Sequence, residues 1–277
     1  MSSGQAFTKL EALGNDFVLL DHRHGQADPE VGQIRALGER RTGIGFDQLL
    51  VLHAATAPSA DCRVHIYNRD GSPARQCGNG MRAIARWLED EQPSRRRFLI
   101  DTPSGTVDVE SLGDNLVRAN MGNPEFSPAS VGLESGIALD TLLQDLPGLQ
   151  SAGLVSMGNP HLVLMLPARA SERMINQRGR FLSAHAAFSA GINVSFAAVS
   201  ADGAVHLDVY ERGVGPTLAC GSAACATAAF LIHEGQTTSP VRVDQPGGRL
   251  VIDWPGPDSP LWMTGPARRV FDGTLAT

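Results

Sequence analysis

The sequence predicts an α/β protein of two similar lobes, and three observations carry that prediction. Stretches that alternate apolar and polar residues, as strands do, are interleaved with stretches of helical spacing. Landmarks recur in one order at nearly one offset: Asn15 and Asn159 are 144 residues apart, Gln48 and Asn193 145, Asn68 and Glu211 143, and Cys77 and Cys220 143. Each half also sets a cysteine before a glycine at the head of an Ala-rich run, in Gln76-Cys77-Gly78-Asn79-Gly80 and in Ala219-Cys220-Gly221-Ser222-Ala223. A period this long marks a duplicated lobe rather than a solenoid unit. The expected division is 1–122, with the tail 266–277 returning to it, and 123–265.

Taken in order, Ala6–Leu10 and Phe17–Asp21 read as strands. Pro29–Arg41 has helical spacing at Val31, Ile34 and Leu37, and ends in Arg40 and Arg41, as a helix C-terminus favours. Asp47–His53 and Cys62–Asn68 are strands, the latter alternating Cys62, Val64 and Ile66 with polar neighbours. Residues 79–90 form a helix with Met81, Ile84 and Leu88 on a core face, and Ala83 and Trp87 beside them make it largely buried. Phe98–Asp101, Thr106–Glu110 and Leu116–Met121 are strands. Gly122-Asn123-Pro124 turns the chain into a connection with a short helix, up to about Pro147. The order then repeats: strands Gly153–Met157 and Leu162–Pro167, a helix Ser171–Arg178, strands Ile192–Val199 and Val205–Glu211, and the helix Ala219–His233 capped by Gly235. The tail Trp262–Phe271 completes the first lobe's sheet.

At 277 residues, with 42% hydrophobic and 19% charged residues, the chain can bury a core in each lobe. Its net charge of −6 argues against nucleic acid as a partner, and Arg95-Arg96-Arg97 reads as a solvated loop. No apolar run approaches the roughly 18–20 residues of a membrane helix. Met1–Leu10 lacks the charged start and apolar stretch of a secretory signal, so a reducing, cytoplasmic setting with four free thiols is expected. No C-x-x-C or H-x-x-x-H spacing supports a metal site built from Cys77, Cys220 and His161. No cofactor is expected.

A cysteine at a helix start faces N–H groups without intrahelical partners and the positive end of the helix dipole, both of which favour thiolate. Two such cysteines, brought face to face by a lobe closing on its twin, can invert a stereocentre: one thiolate takes a proton from carbon and one thiol returns a proton to the other face. They titrate as a coupled pair. The carbanion formed needs donors at the adjoining carboxylate, and the backbone N–H groups of Gly78, Asn79, Gly221 and Ser222 supply them. The carboxamides of Asn15, Gln48, Asn68, Asn159 and Asn193 suit a zwitterionic end, and Arg212 can grip a carboxylate with two parallel bonds. Glu211 can accept from an ammonium or influence a nearby cysteine, and His161 can do the latter or simply follow a turn. Cys62, alternating on a strand, and Cys225, inside an Ala-rich helix, read as core.

These residues resemble the diaminopimelate epimerase family, through L-G-N-D-F-V at 13–18, G-I-G-F-D-Q at 43–48, Y-N-R-D-G-S at 67–72, Q-C-G-N-G at 76–80, S-M-G-N-P-H at 156–161, Y-E-R-G at 210–213 and A-C-G-S at 219–222. Q-P-G-G at 245–248 and M-T-G at 263–265 extend the resemblance toward the end of the chain. It implies two pseudo-symmetric lobes, each a β-barrel-like sheet around a central helix, in a cytoplasmic homodimer. It implies interconversion of LL- and meso-2,6-diaminopimelate, in lysine and peptidoglycan-precursor synthesis, by Cys77 and Cys220 as acid and base. His161 and Glu211 then tune the thiols. Asn15, Gln48, Asn68, Asn159, Asn193, Glu211 and Arg212 contact substrate, with Gly78, Asn79, Gly221 and Ser222 at the reacting carboxylate. Three positions depart from the family pattern: Pro216 where Glu is usual, Ala223 where Gly is usual, and Phe271 where Tyr is common. Two other readings of the same thiols are a proline or hydroxyproline racemase, and a redox sensor that forms a Cys77–Cys220 disulfide.

Overall fold

The structure, a computed structural model, describes residues 4–275. The first three residues of Met1–Leu10 and the last two of the tail lie outside the described residues. The chain divides into two compact units, one running to Asn120 and resuming at Gly265, the other spanning Met121–Thr264.

In the first unit the order is β1 (Ala6–Ala12), β2 (Asn15–Asp21), α1 (Val31–Gly38), β3 (Gln48–His53), β4 (Cys62–Asn68), β5 (Pro73–Ala74), α2 (Gly78–Glu91), β6 (Arg97–Thr102), β7 (Gly105–Gly113) and β8 (Leu116–Asn120). Strand β2 runs antiparallel to β1 and parallel to β3, with Phe17 opposite Gln48. Strand β4 pairs antiparallel with β3 and β5, and meets β6 in a short parallel ladder where Cys62 lies opposite Ile100. β6, β7 and β8 then form a meander. The C-terminal strand Arg268–Thr274 returns to pair antiparallel with β1.

Helix α2 packs against β1, β2, β6, β7, β8 and the C-terminal strand, so the sheet wraps it. The helix is accordingly buried on most sides, its charged Arg82 and Glu89 included: Met81, Ala83, Ile84, Ala85 and Leu88 have no appreciable exposure, and Trp87 reaches Thr8 Oγ1 of β1 through its indole N–H at 3.2 Å. Helix α1 covers the sheet's other face, where Val18, Leu20, Ile34, Phe46, Leu49 and Val51 form a second small core. It stops at Gly38, short of the expected Arg41. The loop behind it folds back, and Ile44 and Gly45 donate their N–H groups to the Leu37 carbonyl at 2.9 Å. Gly43 has to be glycine there, because a Cβ would stand 2.2 Å from the Ala36 carbonyl oxygen.

The second unit contains α3 (Leu139–Leu143), β9 (Ser151–Ser156), β10 (Pro160–Met165), α4 (Glu172–Met174), a π-helical turn (Ile175–Gly179), α5 (Arg180–Ser183), β11 (Asn193–Val199), β12 (Val205–Glu211), β13 (Gly215–Thr217), α6 (Gly221–His233), β14 (Val241–Gln245), β15 (Gly248–Asp253) and β16 (Trp262–Pro266), the last of which crosses into the first unit's share of the chain. Its pairings repeat those of the first unit. β9 is antiparallel to β10, β10 parallel to β11, and β12 antiparallel to β11 and β13. β12 meets β14 in a parallel rung at Val205 and Val243, each 143 residues beyond its counterpart Cys62 or Ile100. The fold is thus mixed α/β, dominated by strands, with one long buried helix per unit. Helix α6 packs against β9, β10, β11, β14 and β15, and its alanines at 223, 224, 226, 228 and 229 are buried. Alanine suits this position twice over, by its high helix propensity and by letting strands approach closely.

The helix expected over 171–178 continues to Ser183, but through the π turn, where Gly179 lies so close to Tyr210 that a Cβ would stand 2.6 Å from it. Strands β5, β13, β14 and β15 add to those the sequence pattern predicts. No helix among the described residues is long and apolar enough to cross a membrane.

Candidate active site

In each unit the marked residues gather at one edge of the sheet and at the head of the long helix. In the first unit, Asn15 opens β2, Gln48 opens β3 and Asn68 closes β4, with Gln48 and Asn68 directly paired across the ladder. Gln48 donates its amide N–H to Asn68 Oδ1 at 3.0 Å, and Asn68 donates in turn to Ser72 Oγ at 3.0 Å. Gln48 Oε1 is buried without a hydrogen-bond partner.

Cys77 is the N-cap of α2, in extended conformation, and its Sγ accepts the Gly80 N–H at 3.3 Å. The thiol therefore takes the place a serine or aspartate oxygen takes at an ordinary helix start. Asn15 Oδ1 lies 3.9 Å from Cys77 Sγ and 3.5 Å from Asn79 Nδ2, and Asn15 donates from its own amide to Asp47 Oδ2 at 3.0 Å. Asn79 is held from behind by the fully buried Arg82, which donates to Asn79 Oδ1 at 3.0 Å. Gly78 is the first residue of the helix, where backbone N–H groups have no partner within the helix.

The second unit has the same plan. Cys220 is the N-cap of α6 and is buried; Gly221 and Ser222 open the helix. The Cys220 Sγ lies 3.5 Å from Ser222 Oγ, and Ser222 Oγ accepts from Asn159 Nδ2 at 3.2 Å. Asn159 Oδ1 accepts the Nε2–H of His161 at 2.9 Å, so a chain of hydrogen bonds leads from the imidazole to the hydroxyl beside the thiol. His161 has no exposed surface. Burial, with the nearby Arg212 charge adding to it, pushes its pKa down to about 3, so the imidazole is neutral near neutral pH. It acts on its neighbours by hydrogen bonding and not as a cation.

On β11, Asn193 lies opposite His161 in the parallel ladder. Its carboxamide spans two backbone groups, donating to the Pro160 carbonyl at 3.1 Å and accepting the Arg212 N–H at 2.9 Å. Arg212 follows β12, donates to the Ala190 carbonyl at 2.8 Å, and lines a pocket of about 500 Å³ with Arg180, Ser183 and Tyr210. Glu211, the last residue of β12, accepts from Thr217 Oγ1 at 2.6 Å.

Each expected site residue thus falls in one of these two clusters. Several supports were not read from the sequence: Asp47, Ser72, Arg82, Thr217 and Gln245, whose Oε1 accepts the Cys220 N–H at 2.8 Å. Gln245 stands in the quoted Q-P-G-G motif, which was its one available signal. Of the remaining thiols, Cys225 is buried in α6, and burial pushes Cys62 up to about 12, which keeps it protonated and unreactive. Pro216 is exposed on β13, Ala223 is buried in α6, and Phe271 is half exposed, its ring edge-on to Phe7.

A duplicated strand–helix unit with a cysteine at the N-cap position of each long helix defines a class, that of α/β proteins built from two copies of one unit. The comparisons narrow it. The family profile described as diaminopimelate epimerase matches residues 7–127 and 153–270. The diaminopimelate epimerase of Pseudomonas fluorescens is 40% identical over 97% of this chain and 98% of its own length. That of Xylella fastidiosa strain M23 is 42% identical over 96% of this chain and 95% of its own. Among solved structures, a phenazine biosynthesis protein of the PhzF family from Bacillus anthracis superposes with a TM-score of 0.71 at 14% identity, over the whole of both chains, which is a likeness of fold. The chain belongs to the diaminopimelate epimerase family.

Proposed function

We propose that this protein interconverts LL- and meso-2,6-diaminopimelate, with Cys77 and Cys220 working on one α-carbon as a thiolate and thiol pair. The observation that carries the proposal is the repeated cap: the same extended N-cap cysteine, at the head of the same buried helix, in both copies of one unit. Its support from relatives is the roughly 40% identity, along nearly the whole chain, to proteins bearing that name.

In the reaction the thiolate sulfur takes the α-hydrogen as a proton, and the electrons of the broken C–H bond pass into the adjoining carboxylate. The N–H groups at the starts of α2 and α6, from Gly78 and Asn79 and from Gly221 and Ser222, hold that charge. The second thiol then gives its proton to the opposite face of the carbon. Carbon has gained and lost one proton, nothing is oxidised, and the two sulfurs have exchanged roles. Asn15 and Asn159 orient the reacting end beside each sulfur, and His161 holds Asn159. Arg212 takes the far carboxylate, with Asn193 fixing its backbone; Gln48, Asn68 and Glu211 complete the polar lining. The product enters lysine and peptidoglycan-precursor synthesis, and the protein works as a cytoplasmic homodimer.

The test is the conversion of purified LL-2,6-diaminopimelate by reduced protein, followed by chiral chromatography. Meso product is expected, and none from the D or L forms of proline. Inversion of proline with diaminopimelate left untouched refutes the assignment.

A further inference from the structure

Outside these clusters, the described residues hold one group of histidine and carboxylate side chains that converge as closely as the ligands of a metal ion: Asp28, His53 and His65, whose donor atoms all lie within 4.8 Å of one another. They come from three places in the first unit. Asp28 is in the loop before α1, His53 ends β3, and His65 lies on the neighbouring strand β4, diagonal to His53 across the antiparallel ladder. The Nε2 of His53 and the Nδ1 of His65 each approach an oxygen of Asp28 at 2.6 Å, and the two rings are 4.6 Å apart. The Tyr67 hydroxyl donates to the same carboxylate. Burial opposes the charge on Asp28, but these hydrogen bonds outweigh it and hold the group as a carboxylate. All three side chains keep some solvent access, with His65 about one third exposed.

We propose that Asp28, His53 and His65 bind a divalent first-row transition ion such as Zn²⁺ or Co²⁺. Two imidazoles and one carboxylate are a donor set that suits such ions, whereas Mg²⁺ and Ca²⁺ favour all-oxygen shells. Four-coordinate Zn²⁺ with bonds of about 2.0–2.1 Å places its ligand atoms about 3.3 Å apart. The two 2.6 Å contacts therefore open by less than an ångström, and no backbone segment has to be recruited. Each histidine already turns toward the carboxylate the nitrogen that would take the ion; on binding, the ring proton moves to the other nitrogen. Water or the Tyr67 hydroxyl completes the shell. The ion ties the segment before α1 to β3 and β4, five residues and about 17 Å along β3 from Gln48, so it is structural and outside the proposed chemistry.

The test uses the full chain carrying Cys77→Ala and Cys220→Ala, so that neither thiol competes for metal. After stripping with EDTA, it is titrated with CoCl₂ and, separately, melted with and without ZnCl₂. One equivalent of Co²⁺ is expected, with visible d–d bands and no thiolate charge-transfer band, together with a rise in Tm on adding Zn²⁺. Adding His65→Gln, at a partly exposed position that tolerates substitution, lowers the Co²⁺ affinity at least about tenfold and abolishes the rise, while the metal-free protein still melts cooperatively. Asp28→Asn does the same. Failure of the parent protein to bind Co²⁺, or undiminished binding in folded His65→Gln protein, overturns the proposal.

Discussion

His161 shows how little of a site's logic is visible in residue types alone. The sequence marks it as a histidine two residues from a paired asparagine, which leaves charge tuning and mere turn formation equally open. Its complete burial decides the matter, since an imidazole held at about 3 carries no charge at the pH of catalysis. Its work is to donate to Asn159 Oδ1, which in turn aims the amide at Ser222 beside Cys220. His161→Ala should therefore slow turnover, by up to about 100-fold if Asn159 shifts by an ångström. The pH–rate profile between pH 6 and 9 should keep its shape, because no charge has been removed. An inflection lost with His161, measured by initial rates across that range, would show instead that the ring titrates during the reaction. The cysteines and carboxamides were legible because duplication marks them in pairs. Gln245 and Thr217 have no marked counterpart, and nothing but the fold brings them to Cys220 and Glu211.

At the level of elements, the repeat that sequence offsets reveal is a repeat of ladders. The parallel pair β2–β3 recurs as β10–β11, and the short rung between β4 and β6 recurs between β12 and β14. Long periodic runs such as Cys62–Asn68 and Val205–Glu211 form strands over the expected residues. What escaped were β5 and β13, two and three residues long, too short for any period to show. Strands β14 and β15 do alternate, with Val241, Val243, Leu250 and Ile252 buried, but the Pro-Gly-Gly turn and nearby prolines obscured them. The π turn at Ile175–Gly179, whose last residue packs closely on Tyr210, leaves no local signal. The packing of β9 on α6 is equally demanding. A Cβ on Gly153 would stand 2.2 Å from the Phe230 ring, so Gly153→Ala should destabilise the protein by about 1–3 kcal/mol. Thermal unfolding should show a Tm lower by several degrees. An unchanged Tm would mean that the ring moves aside freely.

For the molecule as a whole, the fully buried His161 and the ion-paired Asp16 each contribute to its response to acid. His161 stays neutral in the folded chain while an ordinary histidine titrates near 6.5, so below that pH the unfolded state takes up a proton the folded state refuses. The stabilisation from His161 is complete above about pH 6.5 and falls as the pH drops toward 3. Asp16 adds a second loss at lower pH. Burial disfavours its charge, but hydrogen bonds from Arg40 and Lys9 overcome that and hold it at about 2, against 3.8 for an ordinary aspartate. Its stabilisation is present above 3.8 and disappears as the pH falls through 2. Urea unfolding at a series of pH values should show both losses, and Asp16→Asn should make the lower one shallower, with Asp21, Asp28, Asp244 and Asp272 supplying the rest, while leaving the upper intact. The central claim is that one thiolate and one thiol share a single stereocentre. Its most direct test is solvent deuterium incorporation, followed by NMR, when reduced protein acts on LL-2,6-diaminopimelate in D₂O. The account predicts meso product carrying one deuterium at the inverted α-carbon, and loss of inversion in both Cys77→Ala and Cys220→Ala. Meso product formed at an undiminished rate by either variant would contradict it.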